Sequence, residues 1–509
     1  MLLYYVYLNY YSYVFLFTFA VQTAKTDYII TKIYFFCYIK QALRFFMSNT
    51  TNKKVPSELG TERISKLLAQ YAIPAIIAQI AASLYNLIDR AFIGHIPNVG
   101  TDAISGLTNT FPFMNLSVAF GAMIGVGGAT LLSVRLGQRD YDSAKNILGN
   151  LVTLNIIVGV IFAAVSFLFI DEILLFFGAS ENTLPYARDY MEVILLGNVI
   201  THLYFGINAA LRSSGHPQQA MSATIMTVVM NAVFTPLFIF AFNMGIRGAA
   251  LATIFAQAIT LAWQAKLLSN PNELLHLQRG IYKLKRNIVN KILRIGMSPF
   301  LINTAACMVV IIINKGLREN SSSIDDGDIS TAAYGISNSM QFIFVMIVLG
   351  LTQGMQPIVS YNYGAKHPDR VRKALMQTMM WATLVTTIGF VVCVGFPELV
   401  ARIFTSEPSL IERASWAMRV MCMFMPVIGF QLVTTNFFQS IGKVNRSIFL
   451  SLTRQVLMLI PLLIILPHFF GIKGVWYSMP ISDIVAAMLT VVTLIIQFKE
   501  WKNEKNVNL

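Results

Sequence analysis

The chain has 509 residues, of which 56% are hydrophobic and 12% charged, with a formal net charge of +14. A soluble domain carries about twice that charged fraction, and a mean hydropathy of +0.62 with 36 Phe and 24 Met is too apolar for a water-facing fold. These figures exclude a soluble enzyme, a disordered chain, a disulfide scaffold and a nucleic-acid binder, and they imply a multi-span helical membrane protein.

Residues 1–46 are crowded with Tyr and Phe, and the first basic residue, Lys25, follows the apolar run instead of preceding it. That order does not suit a signal peptide. The segment reads as an N-terminal extension ahead of a working start at Met47, an upstream mistranslation. An extra helix over Leu2–Val21 is the alternative.

From Leu67 onward, an apolar window of about 19 residues finds twelve spans. In the first half they cover 67–93, 103–134, 146–170, 184–211, 218–241 and 248–268. In the second half they cover 290–314, 332–362, 371–397, 409–438, 446–467 and 474–498. This divides the chain into an N-lobe at 47–268, a cytoplasmic linker at 269–289, a C-lobe at 290–498 and a tail at 499–509. Placing the N-terminal segment, the even-numbered loops and the tail on one side collects 24 Lys and Arg there, against 6 on the other. Basic loops stay in the cytoplasm, so both termini of 47–509 are expected inside. The same rule makes +14 a sign of membrane topology, not of a nucleic-acid partner.

The chain repeats itself. Gly106-Leu107-Thr108-Asn109 returns as Gly335-Ile336-Ser337-Asn338, and Leu136-Gly137-Gln138-Arg139 as Tyr363-Gly364-Ala365-Lys366. Ser213 and Gly215 match Ser440 and Gly442, Gly245-Ile246-Arg247-Gly248 matches Gly471-Ile472-Lys473-Gly474, and Pro74 matches Pro299. The offset drifts only from 229 to 225 across six spans. The expected fold is therefore an all-α integral membrane protein. Twelve transmembrane helices form two parallel-repeat six-helix bundles around a central cavity, an architecture suited to alternating access.

An ionisable group inside a span is a functional candidate. Asp89, Glu192, Arg419, Arg454 and Asp483 qualify. Glu192 and Arg419 lie near the outer ends of their spans and Arg454 near an inner end, so these three have an ordinary route to the headgroups. Asp89 lies well inside span 1, and Arg90 beside it points about 100° away on a helix. Burial suits such a carboxylate to carrying a proton, and a shell of oxygens would suit it to sodium. The bland alternative is an Asp89–Arg90 pair. In span 5, Asn231 and Thr235 share one helix face. The repeat pairs Asp89, Asn231, Thr235 and Thr253 with Asn314, Met458, Leu462 and Met479, so a cation site belongs to the first bundle. Asn and Thr also act simply as hydrogen-bonding glue between membrane helices. In the Met-rich second bundle, Gln341, Gln353, Gln356 and Met346 of span 8 are candidates for a substrate cavity, with Tyr85 and Asp483. The cysteines Cys37, Cys307, Cys393 and Cys422 form no CxxC pair. No span holds HExxH, GxSG or paired catalytic carboxylates, so no enzyme is expected.

Tyr85-Asn86-Leu87-Ile88-Asp89 with Phe92-Ile93-Gly94, Leu136-Gly137, and Leu211-Arg212-Ser213-Ser214-Gly215 carry a resemblance. With Gly245-Ile246-Arg247-Gly248-Ala249-Ala250-Leu251-Ala252-Thr253, the chain from about Leu59 to Lys499 resembles the multidrug and toxic compound extrusion (MATE) family, most of all its MepA-type bacterial branch. The resemblance implies a monomeric exporter in the bacterial cytoplasmic membrane, in contact with lipid. It would exchange H+ or Na+, with no other cofactor, for amphipathic, often cationic compounds. It also implies a cation site at Asp89, Asn231, Thr253 and the carbonyl of Ala249, with Na+ at the first three. Where the family has a second span-5 carboxylate this chain has Thr235, so one negative charge is missing and proton coupling through Asp89 gains ground. A lipid-linked oligosaccharide flippase of the same superfamily is the rival, but it should line its cavity with several Arg residues. A channel without coupling is a third reading.

Overall fold

The computed structural model describes residues 58–97 and 99–507. The reading of residues 1–46 falls outside the described residues. The described chain is helical because apolar segments in lipid must satisfy their backbone polar groups internally. After a short helix at Glu58–Thr61, span 1 is Ile64–Gly94, span 2 Gly100–Gly137 and span 3 Tyr141–Leu168. Span 4 is a bent pair, Leu184–Leu196 and Asn198–Ser213. Span 5 is Pro217–Pro236, continued by a wide-turn segment at Leu237–Ala241, and span 6 is Gly245–Leu268.

The second half repeats this order. Span 7 is Arg286–Glu319, span 8 Ile324–Gly364 and span 9 Pro368–Phe390, continued by a wide turn at Val391–Gly395. Span 10 is again a bent pair, Pro408–Met421 and Met425–Ser440. Span 11 runs from Val444 to Phe470 with a wide turn at Thr453–Leu459, and span 12 is Ile472–Val507. Among the described residues, ten helices are long and apolar enough to cross a membrane, and the two bent pairs bring the number to twelve.

The repeat extends to backbone detail. Spans 4 and 10 bend by 56° and 51° at equivalent places. Short helices follow spans 3 and 9, at Ile170–Phe176 and Pro397–Phe404. Arg139 and Lys366, both non-glycine residues in the left-handed region, have φ of 59° and 58°. Ser133 Oγ donates to the Ser213 carbonyl at 3.3 Å, and its counterpart Ser360 donates to the Ser440 carbonyl at 2.8 Å.

Spans 1 and 7 tie the halves together. The lower part of span 1 packs on span 8, where Gly354 lies against Ala72 and Gly350 against Ile76. The lower part of span 7 packs on span 2, where Gly127 and Gly296 allow the two backbones to touch. At the basic-loop end, a β-carbon on Gly137 would collide with the carbonyl of Tyr361, and one on Gly364 with the carbonyl of Val134. Val134 and Tyr361 are themselves repeat partners. Glycine is required at both places, and the halves are closed against each other there. The segment between spans 6 and 7 docks on span 3, where Asn150 donates to the Lys283 carbonyl and accepts from the Lys285 amide.

Candidate functional site

The lower part of span 1 packs on span 8, and its upper part meets span 5 at Asp89. Asp89 is 6% exposed there. Thr235 Oγ1 lies 3.0 Å from Asp89 Oδ1, to which it donates, and 3.3 Å from the Asn231 carbonyl oxygen. Asn231 Nδ2 donates to Thr253 Oγ1 at 3.1 Å, and the Thr253 hydroxyl donates to the Ala249 carbonyl at 3.2 Å. Asn231, Thr235 and Ala249 are fully buried. The helical period explains the grouping: Asn231 and Thr235 are four apart on span 5, as Ala249 and Thr253 are on span 6. All five residues named from the sequence thus form one cluster.

The cluster has one carboxylate among neutral oxygens. Such a shell suits a proton or a hard monovalent cation. Thr235 contributes a donor where a carboxylate would add a charge. Arg90 is exposed and places its guanidinium over the Phe111 ring, 5.4 Å from the centroid. Tyr190, buried on span 4, is an electrostatic neighbour of Asp89 that sequence reasoning missed.

The cavity candidates do not form one group. Asp483 is 3% exposed and accepts from Arg454 Nε at 2.7 Å. Arg454, read as free to reach the inner headgroups, is thus committed to Asp483. The wide turn at Thr453–Leu459 helps, because the Arg454 carbonyl turns out to accept from Ser482 Oγ at 2.6 Å. Gln356 Nε2 donates to Thr130 Oγ1 at 2.6 Å, and Met346 Sδ accepts from Gln79 at 3.6 Å. Both therefore bridge the halves. Gln341 and Gln353 are half-buried on span 8. The Tyr85 side chain lies outside the described residues. Glu192 joins a network near the start of span 4 with Arg188 at 2.9 Å and Arg247 at 3.5 Å, while Arg419 is exposed.

Another polar group inside a span emerges only from the structure. His202 is fully buried on span 4, with Nε2 3.1 Å from the Ser117 carbonyl, and Ser117 Oγ donates to Asn198 at 2.6 Å. A sequence signal for it exists: an imidazole in an otherwise apolar stretch, just after the Gly197 bend.

The MatE family model matches residues 74–237 and 321–465, more than half of the chain. The chain belongs to the MATE family. The multidrug export protein MepA of Staphylococcus haemolyticus is 26% identical over 428 residues, covering 84% of this chain and 92% of the relative. MepA of Staphylococcus aureus is 25% identical over 439 residues, covering 85% and 94%. Among solved structures, a complex of the MATE multidrug transporter DinF-BH superposes with a TM-score of 0.79 at 35% identity, covering 87% of this chain and 98% of that one. An outward-facing MATE transporter of the MOP superfamily gives a TM-score of 0.81 at 23% identity, covering 88% and 99%, which speaks to the fold alone. This MATE chain is thus a multi-pass membrane protein with bacterial multidrug exporters as relatives.

Proposed function

We propose that the chain is a secondary active multidrug exporter. It exchanges a proton for amphipathic, often cationic compounds across the bacterial cytoplasmic membrane, and Asp89 carries the coupling charge. The observation that carries this reading is the single buried carboxylate hydrogen-bonded by Thr235 beside Asn231, Thr253 and the Ala249 carbonyl. Only one negative charge holds a cation there, which favours a proton over sodium. The distribution of Lys and Arg supports a cytoplasmic placement for the closed end and for both termini of 47–509. The described conformation is then closed toward the cytoplasm, within an alternating-access cycle run by a monomer in lipid. The flippase reading loses support from the commitment of Arg454 to Asp483.

The test is ethidium export from efflux-deficient cells, comparing the wild-type chain with Asp89→Asn at matched expression. Export driven by an imposed proton gradient, and lost in the variant, is the expected result. Export that needs sodium instead would reassign the ion, and unimpaired export by the variant would remove Asp89 from the mechanism.

A further inference from the structure

Below the Asp89 cluster the contact between spans 5 and 6 stays polar. On span 5, Thr235, Asn231, Thr227 and Thr224 recur at helical spacing, and on span 6 Thr253, Gln257, Thr260 and Gln264 do the same. The two series meet. Thr227 Oγ1 lies 2.9 Å from Thr260 Oγ1, one turn below Asn231 on span 5 and two turns below Thr253 on span 6. Each hydroxyl also has a carbonyl one turn back on its own helix within reach, Ala223 at 3.1 Å for Thr227 and Ala256 at 2.9 Å for Thr260. Gln257 accepts from Thr201 of span 4 at 2.6 Å. Tyr204 of span 4 lies beside Thr224 and Thr227 on the third side.

One turn further down is Gln264, fully buried, with neither its carbonyl oxygen nor its amide nitrogen partnered. The register set by Thr227 and Thr260 places the small residues Ala223 and Ala220 of span 5 at its level. Among the described residues Gln264 alone has both amide atoms buried and without a partner. A buried amide with an open acceptor and open donors is suited to holding water. The charged groups toward the foot are Arg212, which donates to Asn208 at 2.8 Å, and Lys266 in the last turn of span 6. The second half lacks this column. Thr227 and Gln257 become Arg454 and Asp483, while Thr260 becomes Ala486 and Gln264 becomes Thr490, whose hydroxyl bonds its own helix.

We infer that the seam between spans 5 and 6 is a proton route from Asp89 to the basic-loop face, gated by the Thr227–Thr260 pair and hydrated at Gln264. This deepens the antiport reading and rests on it. The O–H bond of protonated Asp89 breaks and its proton joins a hydrogen-bonded chain of water and hydroxyl groups. A proton leaves the lower end to bulk water, and the carboxylate stays behind. Gln264 orders water without changing its own protonation. In the described conformation the hydroxyl hydrogens of Thr227 and Thr260 are both committed, so the gate is shut. Thr populates two rotamers on a helix, and a flip of Thr227 would open it. The proton then leaves by a path separate from the one the exported compound uses.

The full chain would be reconstituted into liposomes with the pH dye pyranine trapped inside and ethidium as the probe. Wild type should show ethidium-linked proton movement that Asp89→Asn abolishes. Gln264→Leu should slow that movement about tenfold while ethidium affinity stays within about twofold. It should also unfold at or above the wild-type temperature, since leucine replaces an unpartnered amide. Thr227→Ala should pass protons without ethidium, several times faster than the wild-type leak. Proton movement at wild-type levels in both variants would overturn the route while leaving antiport intact. Absence of ethidium-linked proton movement in wild type would overturn antiport itself, and the route with it.

Discussion

The two halves share their backbone and differ in their chemistry. Bends of 56° and 51° in spans 4 and 10, left-handed residues Arg139 and Lys366, and serines reaching Ser213 and Ser440 occur in both. Where the first half places Asp89, Asn231, Thr235 and Thr253, the second has Asn314, Met458, Leu462 and Met479. Where the first has neutral Thr227 and Gln257, the second has the Arg454–Asp483 ion pair. The difference teaches which part of the molecule must exist twice. A rocking motion about an axis between the halves needs matched hinges and matched seams. A coupling site needs only one copy, and a second buried carboxylate without a partner would be a standing cost.

The largest effect should come from removing the asymmetry at its centre. Asp89→Asn makes span 1 resemble span 7 at that position, and export should fall to the level of cells lacking the transporter. Next is the ion pair of the second half. Arg454→Ala or Asp483→Ala alone should cost about 3–5 kcal/mol of stability by leaving one charge uncompensated. The double substitution Arg454→Thr with Asp483→Gln, which copies the first half, should recover most of that. Thermal unfolding in detergent measures both, and a loss in the double variant equal to the sum of the two single losses would show that the pair is not coupled. Thr235→Asp should sharpen the comparison from the other side. A second carboxylate beside Asp89 should tighten sodium binding about tenfold, roughly 1.4 kcal/mol, read as sodium-stimulated ethidium export.

The smallest effect is at the start of span 3. Asp140 caps that helix by accepting from the Ser143 amide at 3.1 Å, whereas His367 stands at the same place before span 9. Hydrogen bonds from Ser143, then the charge of Arg135, hold the Asp140 carboxyl below its ordinary value. Asp140→Ala should therefore cost about 1 kcal/mol at neutral pH. A carboxyl whose value is lowered by folding contributes fully above the unfolded value, near pH 4, and loses that contribution as pH falls through the folded one. Unfolding temperatures of variant and wild type should converge at low pH, and a constant gap across pH would contradict this.

Much of the arrangement was legible because apolar length and helical spacing are local properties. The spans, the repeat and the grouping of Asn231 with Thr235 follow from them. The bends in spans 4 and 10 were not, because an apolar run reads the same straight or bent, and Gly197 is one glycine among many. Arg454 and Asp483 each stand out in the sequence as an ionisable residue within a span. Their pairing joins spans 11 and 12 and depends on a wide turn that no residue pattern announced. Gln264 does not stand out in the sequence, because an amide in an apolar run carries no charge. What marks it is the absence of a partner, which only three dimensions reveal.

The reciprocal collision that keeps Gly137 and Gly364 as glycines has an ancestral meaning. Each glycine touches the partner of the residue that the other one touches, which is how a symmetric dimer grips its own copy. In such a dimer one codon would govern both sides of the latch, and every change would be felt twice. In a single chain the two sides are inherited separately. The two copies of the bundle were then free to differ, Asp89 in one and Asn314 in the other, while the latch that both share stayed in place.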